Sequence, residues 1–545
     1  MTIHDAAPSA ARPQDGQAGP TDVLIVGAGF AGLYMLHAIR TLGLSAVLLE
    51  AGDGVGGTWH HNRYPGARCD VDSIDYSYSF DPAIRAEWTW SERYPSAPEI
   101  RRYLEFVADR LGLRRDIRLS TRVRAAEFDE HAESWSVTAD DGRTWRARWL
   151  VFATGSLSQA NAPDFPGASE YRGRLLHTAD WPRDADLRGR RVGVIGTGSS
   201  GVQAIPVLAE EAEHLVVFQR TPGFVVPARN HPLSPDETAA IEADYATRRQ
   251  ALRESFGGWH LPPSSGPAAD VPHGERLAEL ERRWSIGGLC LQSAFSDVMT
   301  DPAANEQVAR FVRDRIRDTV HDPSTAETLC PTGYPLGAKR LCVGTDYYET
   351  YNRGNVDLVD LRATPLETFT PGGIRTSAQE YALDAVVLAT GFDAMTGALD
   401  RIDIRGRGGR RLRDEWAAGP RSYLGLSVAG FPNMFVLAGP GSPSVMSNVV
   451  VSIEQHVEWV RDLLAHLADT GTGTVEATAE AQDRWVELGN QIASATLYPS
   501  ADSWYMGANV PGKPRVFMPF LGGVGTYRGI CDGVAADGYK GFTLG

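Results

Sequence analysis

Apolar residues in this chain fall into two arrangements: short unbroken runs that stop on glycine, and longer stretches where they recur at helical spacing. The unbroken runs predict strands buried on both faces, and the helical spacing predicts amphipathic helices packed against them. Val23–Val26 leads into Gly27-Ala28-Gly29-Phe30-Ala31-Gly32, and Val192–Ile195 leads into Gly196-Thr197-Gly198-Ser199-Ser200-Gly201. After each comes a helix-like stretch and another apolar strand, which closes on Glu50 in the first copy and on Gln219-Arg220 in the second, at equal spacing. In such units the pyrophosphate of a dinucleotide caps the helix N-terminus, and the residue ending the next strand meets the ribose. A carboxylate at Glu50 suits two free hydroxyls, as in FAD or NAD; Arg220 suits a 2′-phosphate and predicts NADPH. A lone glycine fingerprint is a weak signal, but two copies with strand, helix and ribose residue all in register are a specific one.

Two further runs frame the second fingerprint. Trp149–Phe152 closes on Ala153-Thr154-Gly155, and Leu383–Leu388 closes on Ala389-Thr390-Gly391. Taken singly, either is a buried strand ending in glycine; as a pair they predict the places where the chain crosses between two nucleotide domains. The expected fold is α/β, with two Rossmann-like domains, the NADPH domain inserted in the FAD domain, and a helical subdomain. The expected boundaries are a disordered leader over 1–20, an FAD-binding domain over 21–160 and 390–545, and an NADPH-binding domain over 161–230 and 335–389. The helical subdomain spans 231–334, from the stretches Asp236–Glu254, Gly274–Trp284 and Asn305–Thr319, and is expected to cover a substrate cavity. One more amphipathic helix is expected around Val451–Leu467.

Composition narrows the function classes. A chain of 545 residues, 43% hydrophobic and 22% charged, has room for several domains with large cores. A net charge of −15 argues against nucleic-acid or anionic-membrane partners. No apolar run approaches the roughly 18 residues of a membrane span. The five cysteines include no CxxC pair, which gives no sign of a metal site and predicts a reducing, cytoplasmic setting. It also removes the disulfide shuttle that a thioredoxin-reductase-like flavoprotein needs.

The stretch Tyr171-Arg-Gly173-Arg-Leu-Leu-His177-Thr-Ala-Asp-Trp181-Pro182 resembles the FxGxxxHxxxWP signature of type I Baeyer–Villiger monooxygenases, with tyrosine for phenylalanine. Read alone, His177 is a satisfied loop histidine. The likeness extends over residues 21–545 through Gly56-Gly57-Thr58-Trp59, Arg63-Tyr64-Pro65-Gly66-Ala67-Arg68-Cys69-Asp70, Gln219-Arg220-Thr221-Pro222, Gly337-Ala338-Lys339-Arg340, Ala438–Pro443 and Trp504–Asn509. Within that family it looks nearest the phenylacetone and steroid monooxygenase branch.

The resemblance implies FAD and NADPH as cofactors, with O2 and a small-molecule ketone as substrates. A C4a-peroxyflavin would insert one oxygen beside the carbonyl to give an ester or lactone. It makes Arg340 the active-site arginine and Asp70 its partner; by residue type alone, Arg340 is half of a surface Lys-Arg pair and Asp70 a helix cap or loop acid. It places Lys339, Arg220 and Thr221 around the 2′-phosphate, Trp504 on the nicotinamide nucleotide, and Gly57, Thr58, Arg63, Trp59 and Tyr76 around the flavin. Ser444, Val445 and Met446 are then expected in the ketone pocket, and Tyr171, Gly173, His177 and Trp181 in the linker between domains. Two other readings share the fingerprints: an N- or S-oxygenating flavin monooxygenase, and a non-oxygenating FAD/NADPH-binding protein. Trp181-Pro182, Arg340 and Asp70 weigh against the first, and the retained Asp70, Lys339 and Arg340 against the second. The sequence sets no oligomeric state.

Overall fold

Two separate sheets carry the two glycine turns in this computed structural model, which describes residues 20–545. The expected leader falls, save for Pro20, outside the described residues. The first sheet runs in the order Asp403–Arg405, Val123–Asp129, Ser134–Ala139, Thr144–Phe152, Thr21–Val26, Ala46–Leu49, Ile117–Arg118, and Met434–Val436 adds to Thr144–Phe152. Thr144–Phe152 changes partners along its length. Its first half lies antiparallel to Ser134–Ala139, and its second half parallel to Thr21–Val26 and Met434–Val436. Its burial changes with them: exposed and buried positions alternate as far as Arg148, then Trp149–Phe152 are buried without a break. That is the difference between a strand covered on one face and a strand covered on both.

The second sheet is wholly parallel, in the order Val356–Asp360, His214–Gln219, Arg191–Ile195, Ala385–Leu388, Arg174–His177. All of these strands lie in sequence between Phe152 and Asp403, so the chain leaves the first sheet, builds the second and returns. The outward and returning segments touch. Ala160 and Phe392 form an antiparallel bridge, Asn161 N–H donates to Gly391 O at 2.9 Å, and Asp393 N–H donates to Gln159 O at 2.8 Å.

Each glycine turn is packed against its own crossing. Gly27 (φ +107°) and Gly196 (φ +109°) hold left-handed backbone, and a Cβ on either would lie 2.5 Å from the carbonyl oxygen of Ala153 or Ala389 respectively. Only glycine meets both demands.

Between 231 and 334 the chain forms helices over Pro235–Ala243, Tyr245–Glu254, His273–Ile286, Pro302–Thr319 and Pro323–Leu329, with no strand. The Asp236–Glu254 stretch is two helices. Ser234 and Glu237 cap the first, and the chain leaves helical geometry at Asp244 (φ −115°) before the second begins. The break aims the second helix at the first sheet's side of the molecule. Arg248 pairs with Asp75 at 2.7 Å, and Arg249 pairs with Glu454 of the Val449–Thr470 helix at 2.6 Å, all four largely buried. Breaking such a pair by removing one partner costs about 3–5 kcal/mol. No described helix is long and apolar enough to cross a membrane.

Candidate active site between the two glycine turns

The first turn is closed over. Glu50 is buried, and its carboxylate accepts the Ala28 and Gly52 N–H groups at 2.6 Å each, one per oxygen. Each oxygen keeps capacity for a hydroxyl donor. Gly57 (φ +54°) comes so near that a Cβ on it would lie 2.9 Å from Gly29 Cα, which brings the short Thr58–His61 helix onto the turn. Phe30 and Ala31 open the Phe30–Thr41 helix. The Phe30 ring meets Tyr76 edge-on at 5.1 Å, Tyr76 meets Trp59 at 5.8 Å, and Trp59 Nε1 donates to the Tyr76 hydroxyl at 3.2 Å. Burial pushes the Tyr76 phenol well up, so it stays protonated. Arg63 reaches His60 Nε2 at 3.1 Å, yet its own Nε is buried without a partner. Burial lowers its pKa, and Arg183 and Arg101 lower it further. Converging guanidiniums, an orphaned donor, a glycine turn and an aromatic wall fit the pyrophosphate and flat ring system of FAD.

The second turn stands open. A Cβ on Gly198 would meet nothing within 4 Å. Ser199 and Ser200 form the first turn of the Ser199–Glu211 helix, and Thr197 Oγ1 donates to Thr221 O at 3.3 Å. Arg220 is exposed and Lys339 half-buried. Burial lowers the Lys339 pKa; Asp502 opposes that, and Arg220 adds to it. Two cations near enough to repel are relieved by a dianion between them, and this fits the 2′-phosphate of NADPH.

The His177 segment ties both crossings. His177 Nδ1 accepts the Ala179 N–H at 3.0 Å, which leaves the proton on Nε2, facing Asn161 O and Thr390 Oγ1 at 3.2 Å each. Burial lowers its pKa and keeps the ring neutral. Tyr171 donates its hydroxyl to Leu383 O at 3.0 Å, over a glycine at 173 whose Cβ would collide with that hydroxyl. Trp181 is buried in the core of the second sheet. The Ala389-Thr390-Gly391 turn is therefore held from two sides, by Gly196 and by His177.

Arg340 lies where these parts meet. Its Nε and Nη2 donate to Asp70 Oδ2 at 3.1 and 2.6 Å, and its Nη1 donates to Val445 O at 3.0 Å. Three of its five N–H groups are so used. Burial works against its charge, but Asp70 and then Tyr505 outweigh that, so its pKa stands above the ordinary guanidinium value. Val445 and Met446 pack with Met395, Tyr498 and Tyr505, with Trp504 at the edge of the group. Ser444, fully buried at φ +43°, donates its hydroxyl to Ala438 O at 3.1 Å and lies 3.9 Å from the Met395 sulfur of the same group.

Sequence reasoning had not singled out Tyr505, Tyr334 or Asp502. Tyr505 follows Trp504 directly, but nothing in the spacing pairs it with Arg340. Tyr334 lies five residues before Lys339 with its ring under the ammonium, at 4.8 Å from Nζ to centroid.

Comparison with known proteins bears on this arrangement. Residues 24–252 match the pyridine nucleotide-disulphide oxidoreductase family. Over 522 residues, 95% of this chain and 95% of the relative, the sequence is 42% identical to a Baeyer–Villiger monooxygenase from Pseudooceanicola batsensis. It is also 42% identical over 527 residues, 96% of this chain and 97% of the relative, to a phenazine N-monooxygenase from Lysobacter antibioticus. A solved structure of oxidised steroid monooxygenase bound to NADP has 53% identity and a TM-score of 0.93, covering 96% of this chain and 99% of that one.

Proposed function

The chain belongs to the flavin-dependent Baeyer–Villiger monooxygenases, and from that premise we propose which of its residues carry the reaction. The enzyme uses FAD, NADPH and O2 to place one oxygen beside a ketone carbonyl, giving an ester or lactone. The observation that carries the assignment of roles is Arg340, braced on one side by Asp70 and on the other by Val445 O.

FAD supplies the oxygen-activating chemistry when bound, with NADPH as the source of the hydride. Arg340 keeps its charge at any working pH, so it favours negative charge on the attacking oxygen and on the carbonyl oxygen under attack. Asp70 and Val445 fix the plane of the guanidinium, so that no reorganisation is needed as the charge develops. Gly27, Gly29, Phe30 and Ala31 receive one pyrophosphate with Thr58 and Arg63, Glu50 holds the ribose, and Trp59 and Tyr76 wall the flavin ring. Gly196, Thr197, Gly198, Ser199 and Ser200 receive the other pyrophosphate, while Arg220, Thr221 and Lys339 hold the 2′-phosphate. Trp504 packs on the nicotinamide half, Ser444, Val445 and Met446 bound the ketone pocket, and His177 with Tyr171, Gly173 and Trp181 fixes the linker. The FAD domain is assigned to 21–160 and 390–545, the NADPH domain to 161–230 and 335–389, and the helical subdomain to 231–334. The cytoplasm is the proposed location, supported by five buried cysteines that are all free.

Turnover of FAD-loaded protein with NADPH and air tests the scheme, over a panel of linear, cyclic, aryl and steroidal ketones with products read by mass spectrometry. In Arg340→Ala, ester formation is expected to fall by about 10²–10³-fold, as for loss of an oxyanion donor, with NADPH-driven flavin reduction still measurable. Ester formation at the wild-type rate would remove Arg340 from its role. A phenazine arm belongs in the same panel because one relative is named for N-oxygenation. N-oxide without ester there would shift the substrate assignment to soft nitrogen nucleophiles.

A further inference from the structure

Of the two cations assigned to the coenzyme phosphate, Lys339 is the costlier to keep charged. It is half-buried, and both burial and Arg220 lower its pKa. The face of an aromatic ring offsets part of that cost by attracting the ammonium. Tyr334 offers its face at 4.8 Å.

The ring is itself fixed. The Tyr334 hydroxyl donates to Pro222 O at 2.7 Å, and the ring packs edge-on against Phe224 with centroids 5.6 Å apart. Burial holds the phenol protonated, so it remains a donor. Pro222 and Phe224 belong to the turn that begins at Arg220-Thr221. From that turn the chain enters the Val225–Pro227 strand, which pairs with Cys342–Gly344, just beyond Lys339 and Arg340. One side chain thus touches both cation-bearing segments, through its face on one and its hydroxyl on the other.

We propose that Tyr334 is a positioning residue for coenzyme selection: its ring holds the Lys339 ammonium and its hydroxyl holds the Arg220–Phe224 turn, so that both cations converge on one 2′-phosphate. This rests on the phosphate site proposed above. NADH lacks the phosphate, so the contribution of Tyr334 falls on NADPH selectively.

The test uses the FAD-loaded full chain. Dissociation constants for NADP+ and NAD+ are measured by calorimetry, beside the KM for NADPH and NADH, in Tyr334→Met, Tyr334→Phe, Lys339→Ala and the double variant Tyr334→Met/Lys339→Ala. Methionine fills similar space without a π face, and phenylalanine keeps the face but drops the hydroxyl. Tyr334→Met is expected to weaken NADP+ about tenfold and NAD+ less than about twofold. Tyr334→Phe recovers about half of that free energy, with a selective loss of about threefold. On the Lys339→Ala background, Tyr334→Met costs only the hydroxyl-borne share, about threefold.

Equal losses for NADP+ and NAD+ would mean a structural role and overturn the proposal, as would a full tenfold loss that persists without Lys339. Should Tyr334→Met not fold, Tyr334→Phe decides: an unchanged NADP+/NAD+ ratio there removes the hydroxyl link between the segments. Lys339→Ala separates this inference from the one beneath it. If that variant leaves the NADP+/NAD+ ratio unchanged, the phosphate site itself is misplaced; if it erodes the ratio while the Tyr334 variants do not, only the Tyr334 inference falls.

Discussion

Gly27 and Gly196 adopt the same backbone against the carbonyls of Ala153 and Ala389, yet two residues further along the turns part company. Gly29 is faced by Gly57, which has no room for a side chain because its Cβ would lie 2.9 Å from Gly29 Cα, whereas Gly198 is faced by nothing within 4 Å. Their ribose ends differ in the same sense: Glu50 is buried and bonded to two backbone N–H groups, and Arg220 is exposed. The fingerprint specifies the nucleotide-binding turn, and what packs over it decides whether the ligand stays or exchanges. The proposed assignment follows that contrast, with the flavin that remains through every cycle in the closed turn and the coenzyme that comes and goes in the open one.

The largest expected effect breaks that contrast outright. Gly57→Val puts a branched side chain at positive φ against Gly29, and the protein is expected to purify without flavin, as read from its visible absorbance. Gly198→Ala is expected to stay yellow and to show only a raised KM for NADPH; equal flavin loss in both variants would erase the difference between the turns.

Acid should first loosen the Val449–Thr470 helix, which packs against the Phe30–Thr41 helix leaving the closed turn. His456, buried in the Val449–Thr470 helix, accepts the Ala438 N–H at 3.0 Å, and burial drops its pKa from 6.5 to about 3. The opened state takes up the proton more readily. Stability from this group is therefore intact above pH 6.5 and lost as pH falls below it, by up to about 1.4 kcal/mol per pH unit. Melting followed by flavin fluorescence should show that acid limb, and His456→Asn should flatten it. An identical limb in both proteins would assign the acid lability elsewhere.

The open turn sharpens the comparison with smaller effects. Arg220→Ala is expected to raise the KM for NADPH about tenfold with little change for NADH. As the proposed phosphate ligand, Lys339 must carry its proton, and burial lowers its pKa from 10.5. The KM for NADPH should thus be flat near neutrality and rise a few-fold as pH climbs through that lowered value, while Lys339→Arg moves the rise beyond reach.

The strands, turns and ribose residues were legible in the sequence because each lies in one continuous stretch whose apolar runs and glycines encode it. The Ala-Thr-Gly crossings were legible for the same reason, and the reason for glycine at 27 and 196 becomes visible only in three dimensions, as the backbone carbonyl of Ala153 or Ala389 lying against it. Arg340 and Asp70 stand far apart in sequence, and only the family resemblance joined them. Val445 acts through its carbonyl, which no side-chain pattern reports. The break at Asp244 escaped notice because apolar spacing continues across it while the backbone does not. The Arg248–Asp75 and Arg249–Glu454 pairs escaped because charge in a sequence looks the same whether it ends in water or in a core.

The paired crossing has a mechanical consequence. A body tethered by one strand can swing, twist and tumble; one tethered by two strands laced side by side keeps chiefly rotation about the line of the lacing. The bonds Asn161–Gly391 and Asp393–Gln159 put the parallel sheet in that position, bound to its neighbour like a page at its spine. Any turning of that sheet traces an arc, and it closes each time onto the same line of print.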